Sequence, residues 1–125
     1  NMPNSKLSFK EMCTKFSVTP RTLRYYEYIE LLQPDRDGRS RCYGAREVAR
    51  MTLILRGKKF GFLLEELRQW LSIYDQEGTK AQMGAFIKMA DQKIVELKEQ
   101  KSQLDQTLHE LEELRVKTMS IVSDS

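Results

Sequence analysis

The feature that most constrains this chain is a long segment without proline, from Thr79 to about Met119, in which Gly84 is the only glycine. A continuous helix over this segment would be about 60 Å long, because an α-helix rises 1.5 Å per residue. The preceding residues make a head too small to cover such a helix. The sequence therefore predicts a mainly α-helical protein, with a compact head followed by one long C-terminal helix.

Apolar residues recur along this segment with the heptad spacing of a coiled coil. Seven of these residues are predicted to form the dimerisation seam: Ile87, Ala90, Ile94, Leu97, Leu104, Leu108 and Leu111. The sequence offers no second long helix to pack against the seam, so a second copy of the chain is the simplest partner. Lys101 and Arg115 also fall on the seam, where a parallel pair would set like charges together. We therefore expect an antiparallel coiled coil in a homodimer.

Charge is divided unevenly along the chain. Residues 1–59 contain thirteen Lys or Arg against six Asp or Glu, whereas the rest contains eight against twelve. A basic head beside an acidic helix is typical of a protein whose head faces a polyanion.

Two short helices are predicted near the N-terminus, separated by a few residues. Ser8 and Glu11 form a capping box for the first helix, and Ser17 interrupts it. Thr19 can cap a second helix that Pro20 begins, since proline is favoured at the first helical position. This arrangement is a helix-turn-helix.

The second helix carries side chains that suit phosphates and base edges, namely Arg21, Thr22, Arg24 and Tyr25. Leu23 and Tyr26 are expected to face the core. After this helix, the pair Asp37-Gly38 favours a tight hairpin turn, and Arg36, Arg39 and Arg41 surround it. We interpret this segment as a small basic β-hairpin wing, so the head is predicted to be a winged helix-turn-helix.

Two further helices complete the predicted head. One extends from Gly44 to Lys59 and the next carries an apolar face that includes Leu67, Trp70 and Leu71. Residues 75–78 are interpreted as a polar linker. The expected organisation is a DNA-binding domain over residues 1–78, a dimerisation helix over 79–119 and a flexible tail over 120–125.

Four short motifs occur in order and at consistent spacing: TPRTLRYYE, LLQP, RCY and FGF. Together they resemble the MerR transcription regulators over about residues 7–71. The resemblance implies a homodimer that binds a near-palindromic promoter operator and distorts the DNA, acting on RNA polymerase through the promoter. It also implies further DNA contacts from the wing and from a second, helical wing: Arg41, Tyr43, Lys58, Lys59 and Phe62.

Two residues depart from the family pattern. Glu30 stands where a glycine usually ends the recognition helix in a left-handed turn, so we expect this helix to end differently. Gly44 stands where serine commonly caps the next helix. Neither residue is a predicted DNA contact.

Several functions are not supported by the sequence. Cys13 is expected to be a buried apolar residue and Cys42 an exposed one near arginines, and neither has the spacing of a metal site. We expect no metal, no cofactor and no catalytic activity, because His109 is the only histidine and no catalytic motif occurs. No segment resembles a signal peptide or a membrane span, so the protein is expected in the cytoplasm.

Two other functions fit the same fold. A MerR-like head can bind a protein partner instead of DNA, and an architectural protein can bend DNA without controlling a promoter. The predicted arginines argue against the first, and the long dimerisation helix argues against the second. A small-molecule effector is possible, but the motifs do not identify one.

Overall fold

The computed structural model describes residues 6–124, which form a mainly helical protein with a small antiparallel sheet. The helices and strands follow one another in the order β1 Leu7–Ser8, α1 Phe9–Phe16, α2 Pro20–Tyr28, β2 Asp35–Asp37, β3 Ser40–Tyr43, α3 Ala45–Lys59, α4 Leu64–Glu77 and α5 Thr79–Ser123. The predicted winged helix-turn-helix followed by a long helix is confirmed.

Local capping interactions fix the ends of the first two helices. The Ser8 side chain accepts a hydrogen bond from the Glu11 backbone N–H at 3.1 Å, and the Glu11 carboxylate accepts one from the Ser8 N–H at 2.8 Å. Helix α1 ends at Phe16, and its C-cap Ser17 adopts a left-handed conformation with φ of 54°. Thr19 then caps α2, and Pro20 occupies its first position, as predicted.

The wing is a three-stranded sheet rather than an isolated hairpin. Strand β3 lies between β1 and β2 and pairs antiparallel with both, so that Leu7 lies opposite Tyr43 and Arg36 opposite Arg41. Asp37 pairs with Ser40, which places the two-residue turn one residue later than predicted. Strand β1 was not predicted, because two residues are too few for an alternating pattern.

Helices α3 and α4 pack closely against each other within the head. Gly57 is buried on α3, and a Cβ atom at this position would lie 2.4 Å from a methyl carbon of Leu67 on α4. This contact sets how near the two helices approach. The core that they share with α1, α2 and the sheet consists mainly of apolar side chains: Met12, Leu23, Tyr26, Leu31, Leu32, Tyr43, Met51, Ile54, Phe62, Leu67, Trp70 and Leu71.

Helix α4 continues through most of the segment that was predicted to be a linker. It ends at Glu77, and only Gly78 separates it from α5. The prediction was wrong because Asp75 has a partner distant in sequence: both of its carboxylate oxygens accept hydrogen bonds from Arg46 at 3.0 Å. This contact holds the last turn of α4 against α3.

Helix α5 contains 45 residues, and none of its described side chains is buried within the single chain. It extends to Ser123, so most of the tail expected at residues 120–125 is helical. The chain divides into two compact units, the first ending at Ala85 and the second beginning at Phe86. Within residues 6–124, no helix combines the length and apolar character needed to cross a membrane.

Candidate DNA-binding surface

Helix α2 presents one polar face to solvent and packs the opposite face into the core. Arg21 and Arg24 are exposed, and Tyr25 is half exposed. Leu23 and Tyr26 are buried, which confirms the prediction that they face inward. Thr22 is only partly exposed, and its hydroxyl accepts a hydrogen bond from Thr19 at the start of the helix. Three predicted contact residues of α2 are therefore accessible to a ligand.

The end of α2 keeps the left-handed turn of the family pattern in spite of the substitution by glutamate. Glu30 has φ of 66°. The Leu31 N–H donates to the Tyr26 carbonyl at 2.9 Å, and the Glu30 N–H donates to the Glu27 carbonyl at 3.0 Å. These two bonds form a Schellman motif. The expectation that the helix ends differently was therefore wrong, and Glu30 adopts a conformation that costs a non-glycine residue about 1 kcal/mol.

The wing presents a second basic surface. Arg36 on β2 and Arg39 in the turn are exposed, whereas Arg41 on β3 is partly buried. Lys6, at the base of the sheet, forms an ion pair with Asp35 at 2.5 Å. The two exposed arginines are thus the wing cations most accessible to a phosphate.

A carboxylate that sequence analysis did not single out connects the wing to α2. One oxygen of Glu27 accepts a hydrogen bond from Arg41 Nε at 2.8 Å, and the other accepts a short one from the Tyr43 hydroxyl. Burial raises the pKa of Tyr43, and its hydrogen bond to the Glu27 carboxylate raises that pKa further. Tyr43 therefore stays protonated and donates to Glu27. Local sequence patterns do not predict these two hydrogen bonds, because Glu27 lies 14 positions before Arg41 and 16 positions before Tyr43.

An aromatic ring lies beside arginines from both basic surfaces. The guanidinium carbon of Arg24 is 5.6 Å from the centre of the Phe9 ring, and that of Arg41 is 5.2 Å from it. Both distances are within the range of a cation–π interaction. Phe9 thus holds the α2 cation and the β3 cation near one another.

Two side chains that were predicted to contact DNA are buried in the structure. Tyr43 has no exposed surface, and Phe62 is only 7% exposed. Tyr43 points inward because its hydroxyl bonds to Glu27, and Phe62 belongs to the core beneath α3 and α4. Arg41 lies at the edge of the surface, since its guanidinium is shared between Glu27 and Phe9.

The residues predicted to form a second wing lie at the end of α3. Lys58 and Lys59 are exposed in the last turn of the helix, and Phe60 beside them is also exposed. Lys58 Nζ donates a hydrogen bond to the Tyr26 hydroxyl at 3.3 Å. This contact brings a cation of α3 next to the buried face of α2, so that the three basic segments belong to one packed unit.

Glu47, in the first turn of α3, is a buried charged residue. It accepts a hydrogen bond from the Gln33 backbone N–H at 2.9 Å and one from Arg46 at 2.8 Å. Arg50 donates to the Leu31 carbonyl at 3.0 Å, and its burial lowers its pKa. These bonds fasten the segment after α2 to α3.

A surface pocket of about 390 Å³ lies between α3 and α4. Leu53, Leu71 and Tyr74 supply apolar lining, and Arg46 and Arg50 lie at its polar side. Asp75 accepts hydrogen bonds from Arg46 and lies 3.8 Å from Arg50, so the two cations already have an internal counter-charge.

The cysteines are free thiols, and both are partly exposed. Burial raises the pKa of Cys13, which makes this thiol less reactive rather than more. Among the described residues, no group of three or more His, Cys, Asp or Glu side chains could hold a metal ion.

Comparison with known proteins identifies the family. Residues 7–73 match the family described as MerR HTH family regulatory protein, and residues 48–114 match the one described as MerR, DNA binding. The HTH-type transcriptional regulator HmrR of Rhizobium leguminosarum bv. viciae is 33% identical over 87% of this chain and 78% of its own length. A regulator of Pseudomonas aeruginosa, PA4778, is 34% identical over 86% of this chain and 83% of its own.

Solved structures share the fold. A MerR family transcriptional regulator from Bacillus cereus has a TM-score of 0.70 at 23% identity, covering 87% of this chain and 79% of its own. HiNmlR, a MerR family regulator lacking the sensor domain and bound to promoter DNA, has a TM-score of 0.68 at 18% identity. The match covers 86% of this chain and 88% of HiNmlR. The chain belongs to the MerR family. It is a DNA-binding transcription regulator of the MerR type and not an enzyme.

Proposed function

We propose that this protein binds a near-palindromic promoter operator as a homodimer and controls transcription by distorting the DNA. Each head would occupy one half-site, with the recognition helix α2 in the major groove and the two wings on the flanking phosphates. RNA polymerase would respond to the altered shape of the promoter, which makes it an indirect partner. The site of action would then be the cytoplasm.

The observation that carries this proposal is that direct contacts join α2 to the wing, and that both expose basic side chains. Arg21, Arg24 and Tyr25 are accessible on α2, and Arg36 and Arg39 are accessible on the wing. The contacts of Glu27 and Phe9 join these two surfaces into one. A helix and a wing held together in this way can contact base edges and two stretches of backbone at once.

The proposed DNA contacts follow from exposure and charge. On each head they are Arg21, Thr22, Arg24, Tyr25, Arg36, Arg39, Arg41, Lys58 and Lys59. Thr22 and Arg41 are partly exposed and contribute from the edges of the surface. Phosphate contacts by the cations would supply affinity, and the α2 side chains would supply sequence preference.

The proposed dimer rests on α5. Six large apolar seam residues are between 44% and 68% exposed in the single chain: Ile87, Ile94, Leu97, Leu104, Leu108 and Leu111. Ala90 is partly exposed between them. A helix with this much apolar surface along one seam is stabilised by pairing with a second copy.

A small-molecule effector would have to alter the geometry of the dimer to change transcription. The pocket beside Leu53 and Tyr74 is a place where such a molecule could contact the head.

The proposal is tested by replacing Arg24 with alanine and measuring binding to the native promoter by fluorescence anisotropy. We expect a loss of about 1–3 kcal/mol per half-site, with the dimer unchanged in sedimentation. The matched control is Arg68→Ala, because Arg68 is an arginine on α4 outside the proposed surface and pairs with Glu65. Unchanged promoter affinity in Arg24→Ala would contradict the assignment of α2 and would favour a protein-binding module.

A further inference from the structure

Helix α5 carries two cations at positions where a coiled coil normally has apolar residues. Lys101 and Arg115 share the heptad position of Ile87, Ile94 and Leu108. A charge at such a position fixes the register of a coiled coil, because only some alignments give it a partner. The register of two α5 helices is a property of the proposed homodimer, so its assignment rests on that proposed function.

Antiparallel pairing leaves three alignments to compare, one heptad apart. In an antiparallel pair, a residue at the heptad position of Lys101 packs beside a residue of the other helix at the heptad position of Leu104. Lys101 can therefore lie beside the partner's Leu97, Leu104 or Leu111, and we name each alignment by that leucine. A shift of seven residues moves the helices by about 10 Å, so the three alignments make different charge contacts.

The Leu104 alignment gives both seam cations an acidic neighbour. Arg115 lies beside the partner's Ala90, where a small side chain leaves room for the guanidinium to reach the partner's Asp91. Lys101 lies one residue from the partner's Asp105. Each cation can therefore keep its charge without facing another cation.

The flanks of the Leu104 alignment carry one favourable and one unfavourable pair. Lys98 lies across from the partner's Asp105, and opposite charges at such flanking positions stabilise the pairing. Asp91 lies across from the partner's Glu112, and these two charges repel. The nearby Arg115 offsets that repulsion.

The Leu97 alignment places cations together. Lys98 would lie across from the partner's Lys98. Arg115 would lie beside the partner's Met83, in a segment over residues 79–90 that contains Lys80 and Lys88 but no acidic residue. Two like-charge contacts on each helix make this alignment unfavourable.

The Leu111 alignment fails at the centre and at the ends. It places Asp105 across from the partner's Asp105 at the centre, where two carboxylates repel, although Lys98 gains the partner's Glu112 across from it. It also moves Met83 and Ile87 past the end of the partner's α5, which is at Ser123. These residues are 63% and 60% exposed in the single chain and would remain exposed.

The ends of α5 agree with the Leu104 alignment. It places Met83 beside the partner's Val122, and these residues are 63% and 68% exposed in the single chain. It also places Phe86 on the same flank as the partner's Leu114 and Ile121, which are 59% and 68% exposed. Apolar residues outside the central seam thus gain apolar neighbours, which adds buried area at both ends.

We propose that the α5 helices of this protein pair with Lys101 beside the partner's Leu104, so that the two-fold axis passes between Ser102 and Gln103. Arg115 and the partner's Asp91 select this register. The surface is specific for a second copy of the same chain, because both halves of the charge pattern lie on one helix.

Disulfide trapping distinguishes the three alignments. The pair Ile94→Cys with Leu111→Cys is adjacent only in the proposed register, whereas Ile94→Cys with Leu104→Cys and Ile94→Cys with Thr118→Cys match the other two. Under mild oxidation, we expect the first variant to form most covalent dimer on a non-reducing gel. The parent chain, which keeps Cys13 and Cys42, gives the background. Faster trapping in either of the other variants would overturn the register.

Charge reversal tests the residues that select the register. Arg115→Asp should weaken the dimer by about tenfold in sedimentation, because it sets a carboxylate beside the partner's Asp91, and adding Asp91→Arg should restore the dimer. A double variant as weak as Arg115→Asp alone would contradict the proposed pair. Sedimentation of the parent chain separates the two proposals, since a monomeric parent would refute the homodimer itself, whereas a dimer with another crosslink pattern would refute only the register.

Discussion

Glu27 shows how much a single side chain contributes to the candidate DNA-binding surface. Its two carboxylate oxygens accept hydrogen bonds from Arg41 and Tyr43, so one residue of α2 fixes two residues of β3. Its side chain is only 12% exposed, which strengthens these bonds relative to an exposed pair. Glu27 is thus a positioning residue that orients the wing without needing to touch DNA.

We expect Glu27→Gln to lower the free energy of unfolding by about 1–3 kcal/mol, because hydrogen bonds to a charged group are lost or weakened. Tyr43→Phe removes only one of the two bonds and serves as the comparison, with a smaller expected loss. Urea denaturation of both variants measures the difference. Equal stability of Glu27→Gln and the parent would argue against the role of this carboxylate.

Glu30 has a left-handed backbone conformation that glutamate disfavours. Glycine would adopt the observed φ of 66° without steric cost, whereas glutamate does not. We expect Glu30→Gly to stabilise the head by about 1 kcal/mol in thermal or urea unfolding. Glu30→Ala keeps the strained conformation and removes only the charge, so it should leave stability nearly unchanged. A destabilised Glu30→Gly would show that the glutamate side chain matters more than the backbone.

At the scale of helices and strands, the closest approach in the head is that of α3 and α4. Adding a methyl group at Gly57 would force Leu67 to move in a packed core, since that leucine is 2% exposed. Overpacking costs about 1–3 kcal/mol, and the higher helix propensity of alanine returns about 1 kcal/mol.

We therefore expect Gly57→Ala to lower stability in urea denaturation, in spite of the better helix former. Gly84→Ala is the matched control, because no atom lies within 4 Å of the Cβ position there. That variant should gain stability from helix propensity alone. Equal effects of the two substitutions would contradict the close packing of α3 on α4.

The sequence predicted those elements whose signals are local. The capping residues Ser8 and Thr19 act within three positions, and their helices begin where expected. The features that sequence analysis missed depend on contacts across the fold. The buried Tyr43 hydroxyl donates a hydrogen bond to Glu27 on α2. Helix α4 is longer than expected because Arg46 of α3 donates hydrogen bonds to Asp75 in its last turns.

At the scale of the whole molecule, the charge division predicts a strong dependence of DNA binding on salt. Each phosphate contact contributes about 0.9 to the slope of log K against log salt concentration. Arg39 is an exposed wing cation, so Arg39→Ala should remove one contact from each head. A dimer with both heads on DNA should therefore lose about 1.8 from the slope, and a single head only about 0.9.

Anisotropy titrations at several salt concentrations measure this slope. Lys117→Ala is the control, because Lys117 lies on α5 outside the proposed DNA surface. It should leave the slope unchanged. If Arg39→Ala also left the slope unchanged, the wing would not contact phosphates.

The link between Glu27, Arg41 and Tyr43 has a mechanical consequence for the DNA. The wing cannot swing away from α2 without breaking two hydrogen bonds at a nearly buried carboxylate, so the spacing between helix and wing is a fixed dimension of the head. A half-site whose groove and backbone do not match that dimension must itself deform. The energy of the misfit is then stored in the DNA, where stiff and flexible base steps respond differently. Under the proposed function, operators would be distinguished in part by how readily they bend to fit this dimension.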